Sequence, residues 1–190
     1  SGTLENTFQG TFDGKGHRIF HMYIQKNGVQ EEKQYIGFFS NVNGDIQNLN
    51  IEDCDIEVTG ELQYIFVGAI CGGNSTNKID NCSATGKIKG NGTWMLIGGI
   101  AGVGEKISNS IANVNIEGRI RYVGGIAGQT NKEDSYIRNC GSQGQIIVEQ
   151  ATYIGGITRS NTESCNRILL SQRKYRGNRW KKYWWNYRPK

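Results

Sequence analysis

Short apolar runs, only about four to six residues long and rich in Ile, Val and Tyr, recur along the chain between Gly, Asn and Asp. Five of them align: Tyr35-Ile36-Gly37-Phe38-Phe39, Phe66-Val67-Gly68-Ala69-Ile70, Leu96-Ile97-Gly98-Gly99-Ile100, Tyr122-Val123-Gly124-Gly125-Ile126 and Tyr153-Ile154-Gly155-Gly156-Ile157. Between them lies an Ile-x-Asn signature, at Ile46/Asn48, Ile79/Asn81, Ile107/Asn109 and Ile137/Asn139. A third column runs Ile56, Ile88, Ile116 and Ile146. Each unit of roughly 30 residues therefore supplies about three short strands separated by turns. Helix is the competing assignment, but Gly pairs inside such short β-branched runs would each cost it roughly 1 kcal/mol per Gly.

A unit this small cannot bury its own apolar face, so it must stack on the next, about 4.8 Å away, as in a β-solenoid. Stacking in register turns each alignment column into a ladder. Ile36, Val67, Ile97, Val123 and Ile154 form an inward aliphatic stack, and Tyr35, Phe66, Leu96, Tyr122 and Tyr153 a second, bulkier one. The column Asn48, Asn81, Asn109 and Asn139 reads as an asparagine ladder at a tight turn, with side-chain amides bonded to one another and to neighbouring backbone. The column Gly37, Gly68, Gly98, Gly124 and Gly155 marks positions that need either φ > 0 or close backbone approach.

Composition supports this picture. The chain has 190 residues and 27 Gly, yet its single Pro is Pro189. Proline removes a ladder N–H, so its absence from the body suits strands paired on both sides. The net charge of +5 is unevenly placed. Ser1 to Thr158 carries 12 Lys/Arg against 16 Asp/Glu, whereas Arg159 to Lys190 carries ten against Glu163 alone. We therefore expect an acidic repeat domain over 1–158 and a basic aromatic tail over 159–190, with no nucleic-acid partner for the body. No apolar run is long enough to span a membrane. The lack of an initiator Met and the start close to the first pattern read as a fragment of a longer chain.

The segments Tyr122-Val123-Gly124-Gly125-Ile126-Ala127-Gly128 and Ile97-Gly98-Gly99-Ile100-Ala101-Gly102 resemble the GLUG-type repeat of bacterial surface proteins, which also flanks IgA-cleaving metallopeptidases and occurs in adhesin-like chains. Ile79-Asp80-Asn81-Cys82 and Ile137-Arg138-Asn139-Cys140 are its companion signature, and Gly10 to Ile19 resembles the segment preceding the first repeat. The likeness covers about residues 8 to 158. It implies a right-handed parallel β-helix of about four to five rungs in an extracellular or cell-surface setting. It is specific for architecture and poor for activity, since such modules accompany proteins of different function.

Candidate chemistry is sparse. The five Cys, at 54, 71, 82, 140 and 165, have no CxxC spacing and read as buried, reduced, space-filling thiols. Cys82 and Cys140 share a column two rungs apart, beyond disulfide reach. Asp13-Gly14-Lys15-Gly16-His17 and Gly102-Val103-Gly104-Glu105-Lys106 lack the context of a phosphate loop and read as turns. His17 and His21, four apart, would share a strand face but have no third ligand, so neither metal nor cofactor is expected. Asp53, Asp55 and Glu57 alternate and would share an outer face, either as solvated carboxylates or as the acids of a glycoside hydrolase or lyase. No Ser/His/Asp grouping or HExxH helix is present, so the peptidase activity of some repeat-bearing proteins has no counterpart here.

After Thr158 the pattern stops, with Arg159 in the column of Gly72, Gly102 and Gly128. The tail interleaves Arg173, Lys174, Arg176, Trp180, Lys181, Lys182, Trp184 and Trp185. Three readings stand open: an anionic-surface or single-stranded nucleic-acid binder, a cap over the last rung, or a product of a changed reading frame. The chain as a whole is expected to be non-enzymatic, an adhesion or ligand-presenting module whose partner is a glycan or a host or envelope surface component. A fragment of a β-helical polysaccharide-active enzyme is the alternative.

Overall fold

The computed structural model describes residues 7–28, 32–61, 64–160 and 168–169. These form three parallel sheets, and each turn of the chain adds one strand to each. The first sheet runs through Thr11–Asp13, Asp45–Gln47, Cys71–Asp80, Ala101–Ser108, Ala127–Thr130 and Thr158–Ser160. The second runs through Arg18–Phe20, Asn50–Thr59, Ser83–Asn91, Ile111–Arg119, Cys140–Ser142 and Ile168–Leu169, with Tyr23–Lys26 and Ile146–Glu149 beside it. The third has five strands, Lys33–Ile36, Tyr64–Gly68, Trp94–Gly98, Tyr122–Gly124 and Tyr153–Gly155. The molecule is thus a parallel β-helix of five turns.

Register follows the alignment columns. Ile46, Ile79, Ile107 and Ile137 pair in succession along the first sheet. Ile56, Ile88, Ile116 and Ile146 do so along the second. Ile36, Val67, Ile97, Val123 and Ile154 do so along the third. These columns meet inside the coil as one continuous core, every member buried except Ile154, which is half-buried. Sealing each Ile or Val from water contributes about 1.5–3 kcal/mol. The bulky column stacks as ring on ring where it can: Tyr35 lies 4.8 Å from Phe66 at 13°, and Tyr122 lies 5.5 Å from Tyr153 at 15°. Leu96 interrupts the series between Phe66 and Tyr122.

The opening segment is a turn of the helix in its own right. Phe12 pairs with Ile46, Ile19 with Ile51 and Ile24 with Ile56, so it supplies the first layer of two core columns. At the other end, pairing passes Thr158, with Ser160 against Thr130 and Ile168–Leu169 against Cys140 and Gly141.

One expected turn is a strand. Gly102 to Lys106 lies within Ala101–Ser108, its pairing with Cys71–Asp80 shifted between Gly104 and Lys106. A Cβ at Gly102 would sit 2.5 Å from the Val67 nitrogen, so this glycine serves face-to-face packing of the first sheet on the third. The aligned column of Gly37, Gly68, Gly98, Gly124 and Gly155 resolves the same way. None of the five has positive φ. A Cβ at Gly98 would lie 2.1 Å from the Ala101 carbonyl oxygen, so crowding at the tight passage between sheets demands glycine there.

Candidate functional site

Left-handed backbone falls instead on the asparagines. Asn48, Asn81, Asn109 and Asn139 have φ of 54°, 50°, 51° and 51°, each turning the chain from the first sheet to the second. Asn tolerates this region better than other non-Gly residues because its short amide bonds locally. Asn81 Nδ2 donates to Asn48 Oδ1 at 2.7 Å, and Asn139 Nδ2 to Asn109 Oδ1 at 3.2 Å. The middle link differs from a simple ladder: Asn109 Nδ2 donates to Asp80 Oδ1 at 2.8 Å. The residue after each of the last three asparagines closes the turn onto the carbonyl two residues back. Cys82 Sγ donates to the Asp80 oxygen, Ser110 Oγ to the Ser108 oxygen and Cys140 Sγ to the Arg138 oxygen.

These ladders build the frame, and the outer face of the second sheet carries the chemistry. Glu52, Asp53, Asp55 and Glu57 all point outward from Asn50–Thr59, while Ile51, Cys54, Ile56 and Val58 point in. Neighbouring turns answer them with cations: Arg18 with Glu52 at 3.3 Å, Lys87 with Asp55 at 3.1 Å and Lys89 with Glu57 at 3.2 Å. The Asp55 carboxylate raises the pKa of the Lys87 ammonium. Arg119 reaches farther, across the intervening turn, to Glu61.

The histidines are not side by side on one strand. The strand Arg18–Phe20 ends before His21, which takes φ of 54°, and His17 lies outside any strand. His21 and Asp53 occupy equivalent places on the first two turns, both left-handed, and His21 Nδ1 lies 2.9 Å from Asp53 Oδ2. One turn on, the register moves between Ala84 and Gly86, so Thr85 alone faces Glu52 and Asp53. This bulge places an extra outward residue beside a shallow depression whose wall includes His21, Asp53, Asp55, Lys87 and Asn115. Alternation in the sequence did not disclose it; the tolerance of Asp for left-handed φ was the only signal.

Sequence reasoning also passed over Glu105, which is buried within the segment expected to be a turn. Its Oε2 accepts the backbone N–H of Asn131 at 3.1 Å and of Lys132 at 3.2 Å, together with the Ser135 hydroxyl, and so pins the loop before Tyr136–Arg138.

Cys54, Cys71, Cys82 and Cys140 are buried free thiols. Cys71 pairs with Ala101 as the alignment requires, and burial pushes the Cys54 and Cys82 thiols up to about 11. Among the described residues no group of three His, Cys, Asp or Glu side chains is placed to hold a metal ion, and no helix is long and apolar enough to cross a membrane. Cys165 and the tail positions Arg173, Lys174, Arg176, Trp180, Lys181, Lys182, Trp184 and Trp185 lie outside the described residues.

No curated protein and no solved structure matches the chain. Residues 67–89 match the GLUG motif; they run from the third sheet through the Asn81 turn into the second. With the same Gly column, Asn turn and Ile columns recurring in register on successive turns, the chain carries a GLUG-type repeat region.

Proposed function

We propose that the chain is a non-catalytic module of a secreted or cell-surface bacterial protein, a rigid stack that presents its outer face to a glycan or a host or envelope surface component. The observation that carries this reading is the inter-turn charge pairing on the second sheet. Hydrolysis of a glycosidic bond asks for one carboxyl in apolar surroundings as acid and a second free to act as nucleophile or base. Asp55 and Glu57 instead stand on an open face, each held by a lysine of the next turn. Residues so arranged suit hydrogen bonding to a ligand that lies across the turns.

The alternative, a fragment of a polysaccharide-active enzyme, draws on the depression at His21, Asp53 and Asp55, where an imidazole and two carboxylates converge. Incubating the chain with a panel of acidic glycans separates the two. Binding without turnover is the expected result. Product formation abolished by Asp53→Ala or Asp55→Ala would establish the enzyme instead.

A further inference from the structure

We propose that the step on the second sheet at His21, Asp53 and Gly86 is a subsite for one neutral pyranose ring of a glycan, an inference that rests on the glycan-binding reading above. The step has a defined origin. His21 and Asp53 are extra residues on the first two turns, bracketed by the pairs Phe20/Glu52 and Tyr23/Asp55. On the third turn Thr85 stands alone against Glu52 and Asp53, and Gly86 follows it opposite Cys54, with φ of 125° and no room for a Cβ, which would lie 2.1 Å from the Cys54 oxygen. A raised edge therefore adjoins a hollow whose polar wall sets the planar groups of Asp53, Asp55, the His21 ring and the Asn115 amide beside the Lys87 ammonium. The Asn115 Oδ1 already accepts the Gln145 N–H at 2.9 Å, so what this residue offers a ligand is its NH2 group.

On the first turn, at the pairs Phe20/Glu52 and Tyr23/Asp55 that flank the step, stand the two most exposed large apolar side chains among the described residues, Tyr23 at 62% and Phe20 at 55%. A pyranose has an apolar face of C–H bonds and a rim of hydroxyls, and binding sites of its kind combine an aromatic face with a few placed polar groups. Among the described residues, the aromatic side chains of the third sheet fit less well. Trp94 on the third sheet has the Arg121 guanidinium 3.5 Å above its ring, and Tyr35–Phe66 and Tyr122–Tyr153 spend their faces on each other. Charge selects the ligand class further. Two carboxylates set against Lys87 and His21 leave no positive excess to attract a polyuronate, so the sugar is uncharged.

Calorimetric titration of the full chain with cellohexaose, mannohexaose, N-acetylchitohexaose and hexagalacturonate tests this. At least one neutral hexasaccharide should bind, and Tyr23→Ala and Asp53→Asn should each weaken it by about tenfold without lowering the melting temperature. Tyr64→Ala, an exposed aromatic change on the third sheet, should bind as the unaltered chain does. Full binding by both second-sheet variants would overturn the subsite while leaving the glycan reading in place. Binding of hexagalacturonate alone would overturn the neutral ligand, and binding of none of the four would overturn the subsite and the glycan reading together.

Discussion

The side-chain amide of Asn81 donates to that of Asn48 across 2.7 Å, joining two turns that are 33 residues apart in the chain. The link does not run the length of the molecule as one chain. Asn48 in turn donates to Asp13 Oδ1 at 2.9 Å, while Asn109 donates to Asp80 and receives Asn139. Two amide relays therefore exist, each ending on a carboxylate that accepts only. A relay of donors must finish on an acceptor that needs no partner of its own, and Asp13 and Asp80 fill that place.

Asn81 thus answers two demands, left-handed φ and the inter-turn bond. Asn81→Ala should destabilise the chain by about 2 kcal/mol, from the φ penalty and the lost hydrogen bond together. Asn81→Gly removes only the bond and should cost about half as much, roughly 1 kcal/mol. Urea denaturation of the three proteins checks the order; an Ala variant as stable as the Gly variant would contradict it.

Glycines of the two kinds should separate just as clearly. Gly98→Ala forces a methyl into the Ala101 oxygen and should cost about 3 kcal/mol or more. Gly16 has φ of 75° but nothing within 4 Å of its would-be Cβ, so Gly16→Ala should cost only about 1 kcal/mol of backbone strain. Thermal melts of both variants make the comparison.

That contrast shows what the sequence could and could not disclose. Columns of Ile, Val and Asn were legible because a solenoid writes each neighbour contact once per turn, and like residues at a fixed spacing betray it. Two kinds of feature stayed hidden. Gly98 and its column left φ and crowding as open alternatives, because a missing Cβ answers to both. The bulge at Asp53 and the burial of Glu105 occur on some turns and not others, so no column records them. The candidate site therefore lies where the repeat is broken.

Acid should loosen the first turn. Asn48, the Lys15 N–H and Gln47 all donate to the Asp13 carboxylate and lower its pKa, the Asn48 bond most of all. A depressed folded pKa contributes stability that is present above the unfolded value of 3.8 and is lost as pH falls through the folded value. Stability measured from about pH 5 downward should fall less steeply in Asp13→Asn than in the unaltered chain. Parallel curves would remove Asp13 from the account.

Glu105 offers a buried counterpart. Glu105→Ala removes the buried carboxylate that accepts from the Asn131 and Lys132 N–H groups and the Ser135 hydroxyl, and should cost about 3 kcal/mol. Glu105→Gln keeps a carbonyl oxygen and should cost less. Hydrogen exchange at Asn131 and Lys132 is the direct readout, and it should accelerate in the Ala variant well before global unfolding.

The thiols test the closed core itself. Cys54 and Cys82 are held to about 11 by burial, and Cys71, with no exposure at all, is pushed up by the same cause. Attack on a disulfide reagent requires thiolate and access, and the folded chain denies both. In a Cys165→Ala variant, which confines the count to the described thiols, a disulfide reagent at pH 8 should find almost no reactive group in the native chain and all four remaining cysteines once urea unfolds it. Labelling rates should therefore follow the denaturation curve. If Cys54 alone reacted early, the second sheet would be opening at the bulge beside Asp53 while the rest stayed stacked, and the proposed sugar subsite would sit on the least stable part of the helix.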